Sequence, residues 1–164
     1  MKPALLVIDI QEAFFHLDAE TTQSLERAIP LVNAAIALFR KHQLPICCIQ
    51  HMEGDQLAPG QTGFELPETL NIRPEDAHFH KVYGNAFNKT GLYEHLHSQG
   101  VDTVIITGFC AEYCVLSTCR GAEDLDLTAI ILRDSLASGV AAHIPFVQAI
   151  QECISFGALC KMLA

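Results

Sequence analysis

Val104-Ile105-Ile106-Thr107-Gly108-Phe109-Cys110-Ala111-Glu112-Tyr113-Cys114-Val115-Leu116 is the stretch that decides the fold. An apolar, β-branched run meets a glycine, turns, and opens into helical spacing that carries Cys114 early in the helix. A buried parallel strand running into its crossover helix has this pattern. A thiol so placed sits where backbone N–H groups converge and the helix dipole is positive. Both favour thiolate, the nucleophilic form.

The same alternation extends to either side. Residues 4–8, 46–50, 77–82, 102–107 and 127–132 read as strands, and 159–163 as a short final one. Residues 22–42 carry Leu25, Ile29, Val32, Ile36 and Phe39 at helical spacing, with Pro30 as an irregularity. Residues 90–99, 111–124 and 143–156 read as further helices. Alternating strands and helices predict one α/β domain over residues 1–164. The expected form is a three-layer α/β/α sandwich around a mostly parallel sheet of about six strands. The irregular segment 52–73, rich in Gly and Pro, is long enough to serve as a lid or a pocket wall.

Composition narrows the function. Nineteen acidic residues against 10 basic ones give a formal net charge of −9, which argues against nucleic acid or an anionic membrane as partner. No apolar run approaches the roughly 18 residues of a membrane span, and the N-terminal run ends on a carboxylate, unlike a secretory signal. The expected location is the cytoplasm. Seven cysteines without a CxxC pair do not suggest a disulfide framework in that compartment; most read as small buried hydrophobes.

In an open α/β sheet, ligands gather beyond the carboxyl ends of the strands. Three chemically complementary groups fall there: Asp9, Lys81 and Cys114. The ammonium lowers the thiol pKa by Coulomb attraction, and the carboxylate takes or returns the proton. Singly, each has a bland alternative, namely a turn-capping Asp, a solvated Lys and a buried Cys.

Several motifs together make the sequence recognisable. They are Leu6-Val7-Ile8-Asp9-Ile10-Gln11 with Phe14, Gln50-His51, and Lys81-Val82-Tyr83-Gly84-Asn85-Ala86-Phe87 with Thr90 and Leu92. The set continues in Val104-Ile105-Ile106-Thr107-Gly108 and Glu112-Tyr113-Cys114-Val115 with Thr118. In this order and spacing, over essentially the whole chain, the sequence resembles the isochorismatase-like cysteine hydrolases. These include nicotinamidases, N-carbamoylsarcosine amidohydrolase-like enzymes and isochorismatase. The resemblance implies a catalytic triad of Asp9, Lys81 and Cys114. It also implies a cis peptide between Phe109 and Cys110, and an oxyanion site built from the backbone N–H groups of Cys110 and Cys114. Gln11, Phe14, His51 and Phe87 stand beside the triad as candidate substrate-binding residues, with core packing the competing reading for the two phenylalanines.

The expected activity is hydrolysis of a small amide or related C–N bond through a Cys114 thioester, on a small-molecule substrate and without a cofactor. The Asp-x-His metal motif of nicotinamidases is not matched at Gln50-His51-Met52-Glu53-Gly54-Asp55. His78 and His80 share a strand face but read as satisfied or solvated side chains, so no catalytic metal is expected. Three alternatives are weaker: vinyl-ether hydrolysis of the isochorismatase type, a non-catalytic scaffold, and a redox sensor using Cys110 and Cys114. Cys110 itself reads as packing within the turn. The resemblance further implies a homo-oligomer, a dimer or tetramer.

Overall fold

The computed structural model describes all residues from Met1 to Ala164. Its strands are β1 (Pro3–Ile8), β2 (Ile46–His51), β3 (Ala77–Lys81), β4 (Thr103–Gly108), β5 (Thr128–Leu136) and β6 (Cys153–Ile154). Its helices are α1 (Ala19–Lys41), α2 (Leu92–Ser98), α3 (Leu116–Glu123), α4 (His143–Ile150) and α5 (Phe156–Met162). The strands form one all-parallel sheet in the order β3-β2-β1-β4-β5-β6.

Strand periodicity explains the three layers. Successive side chains point to opposite faces. In β1 and β4, Leu6, Ile8, Val104 and Ile106 therefore face one way, onto Leu92 and Leu96 of α2, Cys119 and Ala122 of α3 and Val147 of α4. Leu5, Val7 and Ile105 face the other way, onto α1 and Leu159 of α5. Every residue of β1 and β4 is buried, as central strands covered on both faces must be. No helix is long and apolar enough to cross a membrane.

The helix expected over 22–42 is α1, and its apolar stripe Leu25, Ile29, Val32, Ile36 and Phe39 is buried throughout. It starts about a turn earlier because the Asp18 carboxylate accepts the Thr21 N–H at 2.7 Å, an N-cap that fixes the first turn. Pro30 lies inside the helix without ending it.

The C-terminal end departs from expectation. The helix expected to run to 156 stops at Ile150, where Gln151 turns extended. Cys153–Ile154 then pairs with Ile131 and Leu132 as the edge strand. Ser155 caps a new helix by accepting the Ala158 N–H at 3.3 Å. Residues 159–163, expected as a strand, therefore belong to α5 and its C-cap. Apolar periodicity over so short a run does not separate strand from helix, and the serine cap was the deciding signal.

Gly108 closes β4 where it abuts β1. Its φ is +118°, and a Cβ there would collide with the carbonyl oxygen of Ile8, with the Ile8 nitrogen at 2.7 Å. Neither backbone can yield without breaking the β1–β4 ladder, whose register pairs Ile8 with Gly108. Gly108→Ala is expected to cost about 3 kcal/mol or more, combining overpacking with a disallowed backbone conformation. Urea unfolding of the variant measures this, and a loss below about 1 kcal/mol would contradict the contact.

Candidate active site

The order of strands in the sheet is the order of groups in the site. Lys81 is the last residue of β3, and His51 the last of β2, paired with it in register. Asp9 follows β1, and Cys114 lies in the turn after β4. Four neighbouring strands thus deliver an ammonium, an imidazole, a carboxylate and a thiol to one edge.

Lys81 is the hub. Its Nζ donates to Asp9 Oδ2 at 2.7 Å and to Cys114 Sγ at 3.2 Å, and lies 3.1 Å from His51 Nδ1. The Lys81 and Asp9 side chains are 0% and 2% exposed. Desolvating two such charges costs several kcal/mol per ion before their attraction offsets it, so close pairing is a condition of folding at this point. Asp9 adopts a left-handed backbone, with φ of +52°. Asp is among the few residues that tolerate this conformation.

The carboxylate's other oxygen, Oδ1, is buried and has no hydrogen-bond partner among the protein groups. Ligating atoms of Asp9, His51 and Cys114 lie within 4.8 Å of one another. Burial raises the Asp9 pKa above its ordinary value, with Lys81 pulling the other way. Burial, followed by the Asp9 charge, pushes the Cys114 thiol up to about 12, against the opposing pull of Lys81. The expectation of a resting thiolate is therefore corrected: desolvation and the adjacent carboxylate outweigh the ammonium. The surroundings of Cys114 favour the thiol form, next to the Asp9 carboxylate.

The turn that carries Cys114 is tighter in sequence than in space. Residues Ala111–Val115 form a single wide π-type turn before α3 begins at Leu116. The Phe109–Cys110 peptide is cis. The Cys110 carbonyl accepts the N–H groups of Tyr113 and Val115, while the Cys110 N–H makes no bond within the chain.

The neighbours sort differently from expectation. Gln11 was a candidate for the pocket wall, but its side chain is fully buried and committed to the main chain. Its Nε2 donates to the carbonyls of His51 and Phe64, each at 3.1 Å, and its Oε1 accepts the His51 N–H at 2.7 Å. Gln50 Nε2 donates to the same Phe64 carbonyl at 2.9 Å, so the 52–73 segment is pinned to the sheet edge at Phe64. Phe14 packs on Phe109 with ring centroids 4.8 Å apart. Phe87 packs partly buried on the core beneath the site. His51 turns its Nδ1 to Lys81, not outward.

Sequence reasoning missed Glu112. Its carboxylate accepts the Ser138 hydroxyl at 2.8 Å, pairs with His143 Nδ1 at 2.7 Å, and accepts the Cys110 thiol at 3.1 Å. It thereby ties the Cys110 turn to the β5–α4 connection. No short motif announces this, because Ser138 and His143 lie far along the chain. His78 Nε2 sits 3.0 Å from the Arg73 carbonyl and His80 packs edge-on against Phe64. Asp134 lies in β5 with φ of +67°. A surface concavity of about 750 Å³ is lined by Glu12, Phe15, His16, Glu26 and neighbours and includes none of Asp9, Lys81 and Cys114.

Donor atoms of Asp9, His51 and Cys114 are close enough together to suggest a cation site. The Lys81 ammonium already lies within 3.2 Å of all three. A metal ion held by the same atoms would abut that positive charge, so these residues as placed do not fit one.

Comparison with known proteins agrees with the architecture. Residues 3–144 match the isochorismatase domain, and the chain belongs to the isochorismatase family of hydrolases. It is 26% identical over 142 residues to the uncharacterized isochorismatase family protein YddQ of Bacillus subtilis, covering 84% of this chain and 79% of that one. It is 31% identical over 84 residues to the ureidoacrylate amidohydrolase RutB of Caulobacter vibrioides, covering 51% and 37% respectively. The fold superposes on N-carbamoylsarcosine amidase from Thermoplasma acidophilum with a TM-score of 0.82 at 23% identity, over 94% and 95% of the two chains. Relatives of this chain thus include amidohydrolases.

The Lys81–Asp9 pair makes a thermodynamic prediction. Lys81→Met is expected to cost about 3–5 kcal/mol near neutral pH, because it strands a buried carboxylate. Adding Asp9→Asn is expected to recover at least about 1 kcal/mol of that loss. Urea unfolding of the singles and the double gives the coupling, and additive losses would show that the two charges do not support each other.

Proposed function

We propose that the protein is an amidohydrolase that cleaves a small amide or related C–N bond through a thioester on Cys114. One observation carries the reading. A single buried ammonium bridges Asp9 and Cys114, while the second Asp9 oxygen is buried without a partner among the protein groups. A carboxylate with an unoccupied acceptor and a raised pKa is matched to a proton it must accept and later return.

The steps follow from these positions. As Cys114 Sγ attacks the substrate carbonyl carbon, its proton passes to Asp9 Oδ1. The thiol pKa of about 12 means that deprotonation accompanies attack and does not precede it. Lys81 stays protonated and stabilises the charge as it forms on sulfur. The C=O electron pair moves to oxygen, and the resulting oxyanion is met by backbone N–H groups of the turn, that of Cys110 among them. Asp9 then gives its proton to the leaving nitrogen as the C–N bond breaks, and the acyl group remains on sulfur. Water, deprotonated by Asp9, attacks the thioester, and the returning proton regenerates the thiol. No step needs a metal, because Lys81 supplies the positive charge within the donor set.

The reading also accounts for burial. Dry surroundings strengthen the attraction of Lys81 for a developing thiolate far beyond its value in water. They also keep the resting thiol protonated, which protects it from oxidation between turnovers.

The test is incubation with a panel of small amides followed by intact-mass analysis. The wild-type chain is expected to accumulate one acyl adduct, mapping to Cys114, with at least one substrate. Cys114→Ala should form no adduct and lose about a thousandfold or more in turnover. Asp9→Asn should slow acylation by about 10²–10⁴-fold. Full turnover by Cys114→Ala would overturn the scheme.

A further inference from the structure

We infer that His51 is a positioning residue: its neutral imidazole accepts the third Lys81 proton at Nδ1 and so holds the ammonium against Asp9 and Cys114. The inference rests on the proposed roles of Asp9, Lys81 and Cys114.

A lysine ammonium has three protons and no acceptor. The Lys81 side chain is fully buried, so water cannot satisfy a proton that the protein leaves free. Asp9 Oδ2 takes one at 2.7 Å and Cys114 Sγ another at 3.2 Å. The remaining acceptor is His51 Nδ1, at 3.1 Å. That contact requires a lone pair on Nδ1, which puts the imidazole hydrogen on Nε2. Burial first, then the Lys81 charge, holds the His51 pKa below its ordinary value, which keeps the ring neutral near pH 7.

The chemistry explains why a neutral acceptor suits this position. Asp9 and Lys81 already sum to zero charge, and turnover adds one negative charge as the thiolate forms. A second carboxylate on Lys81 would neutralise the ammonium twice and raise the cost of that thiolate. An imidazole satisfies the proton and leaves the charge available. The groups facing the ring are Lys81 from β3, Asp9 from the end of β1, Cys114 from the turn after β4, and Glu53, whose Oε2 is 3.9 Å from Nε2.

His51 is itself held. Gln11 grips its backbone at both the N–H and the carbonyl, so the ring is set by β2 and by a buried amide. A chain of contacts runs from Gln11 through His51 to Lys81 and the sulfur. Removing the His51 acceptor leaves a buried N–H orphaned, and the ammonium must rotate, deprotonate or draw in water. Each outcome weakens its hold on sulfur.

Two amides separate position from polarity. In His51→Asn the side-chain oxygen can occupy the place of Nδ1; in His51→Gln it reaches the place of Nε2. Iodoacetamide labelling, resolved by cysteine and followed by mass spectrometry near pH 7, reads Cys114 reactivity without any substrate. His51→Asn should stay within about threefold of wild type, whereas His51→Gln and His51→Leu should each lose about tenfold or more. Nitrogen-15 NMR of the wild-type imidazole should show an unprotonated Nδ1 and a protonated Nε2, and Lys81→Met should weaken that preference. A protonated Nδ1 in the wild type overturns the inference whatever the labelling shows. Equal reactivity of the Asn and Gln variants, or wild-type reactivity in His51→Leu, also overturns it. Absence of any Cys114 labelling in the wild type is a different result: it counts against the nucleophile reading, and the His51–Lys81 contact is then decided by the NMR.

Discussion

A charge buried at the carboxyl edge of the sheet governs this structure. Lys81 has no solvent to turn to, and a lone ammonium in its position would be incompatible with a stable fold. The chain meets this constraint through topology. Because β2 lies between β1 and β3, the residue ending β2 falls between the residues contributed by the outer two. His51 and Asp9 therefore reach the same nitrogen from adjacent strands, and β4, on the other flank of β1, brings the sulfur. A sheet with another strand order would separate these groups by a strand spacing of about 5 Å each, too far for one ammonium to touch all three.

The same topology decides which parts of the fold the sequence discloses. Continuous apolar runs at β1 and β4, and the stripe of α1, can have few other meanings, so the α/β sandwich was legible. Strand ends are also legible, and they gave Asp9, Lys81 and Cys114. Residues 151–163 were not, because an apolar stretch there is broken only by a two-residue strand and a serine cap. Local pattern carries no information about which neighbour a short edge strand will find.

The site was legible as a set of residues but not as a set of charges. From sequence, a helix start and a lysine argue for a thiolate. Burial reverses this, and burial depends on what covers Cys114 in three dimensions. For the same reason Gln11 reads from sequence as a residue of the pocket wall. Its side chain serves the backbone of β2, a role visible only once residues 11, 51 and 64 are seen together.

Two thiols four residues apart show how far environment outweighs residue type. Cys110 and Cys114 share one turn, and both pKa values are pushed up to about 12, but by different neighbours. Cys110 donates to Glu112, which is fixed by Ser138 and His143, and Glu112 offers the thiol no cation to stabilise an anion on sulfur. Its proton is held for structure. Cys114 faces a carboxylate that can take its proton and an ammonium that can stabilise what remains. A high resting pKa therefore has opposite meanings at the two positions. At Cys110 burial and the Glu112 carboxylate resist ionisation, with only the Gly139 backbone pulling the other way. At Cys114 the group that most resists it, after burial, is the Asp9 carboxylate, and under the proposed mechanism a proton passing to Asp9 would remove that charge and leave Lys81 alone facing the sulfur. The two thiols thus differ in what surrounds them: a carboxylate and an ammonium at Cys114, a carboxylate alone among side chains at Cys110.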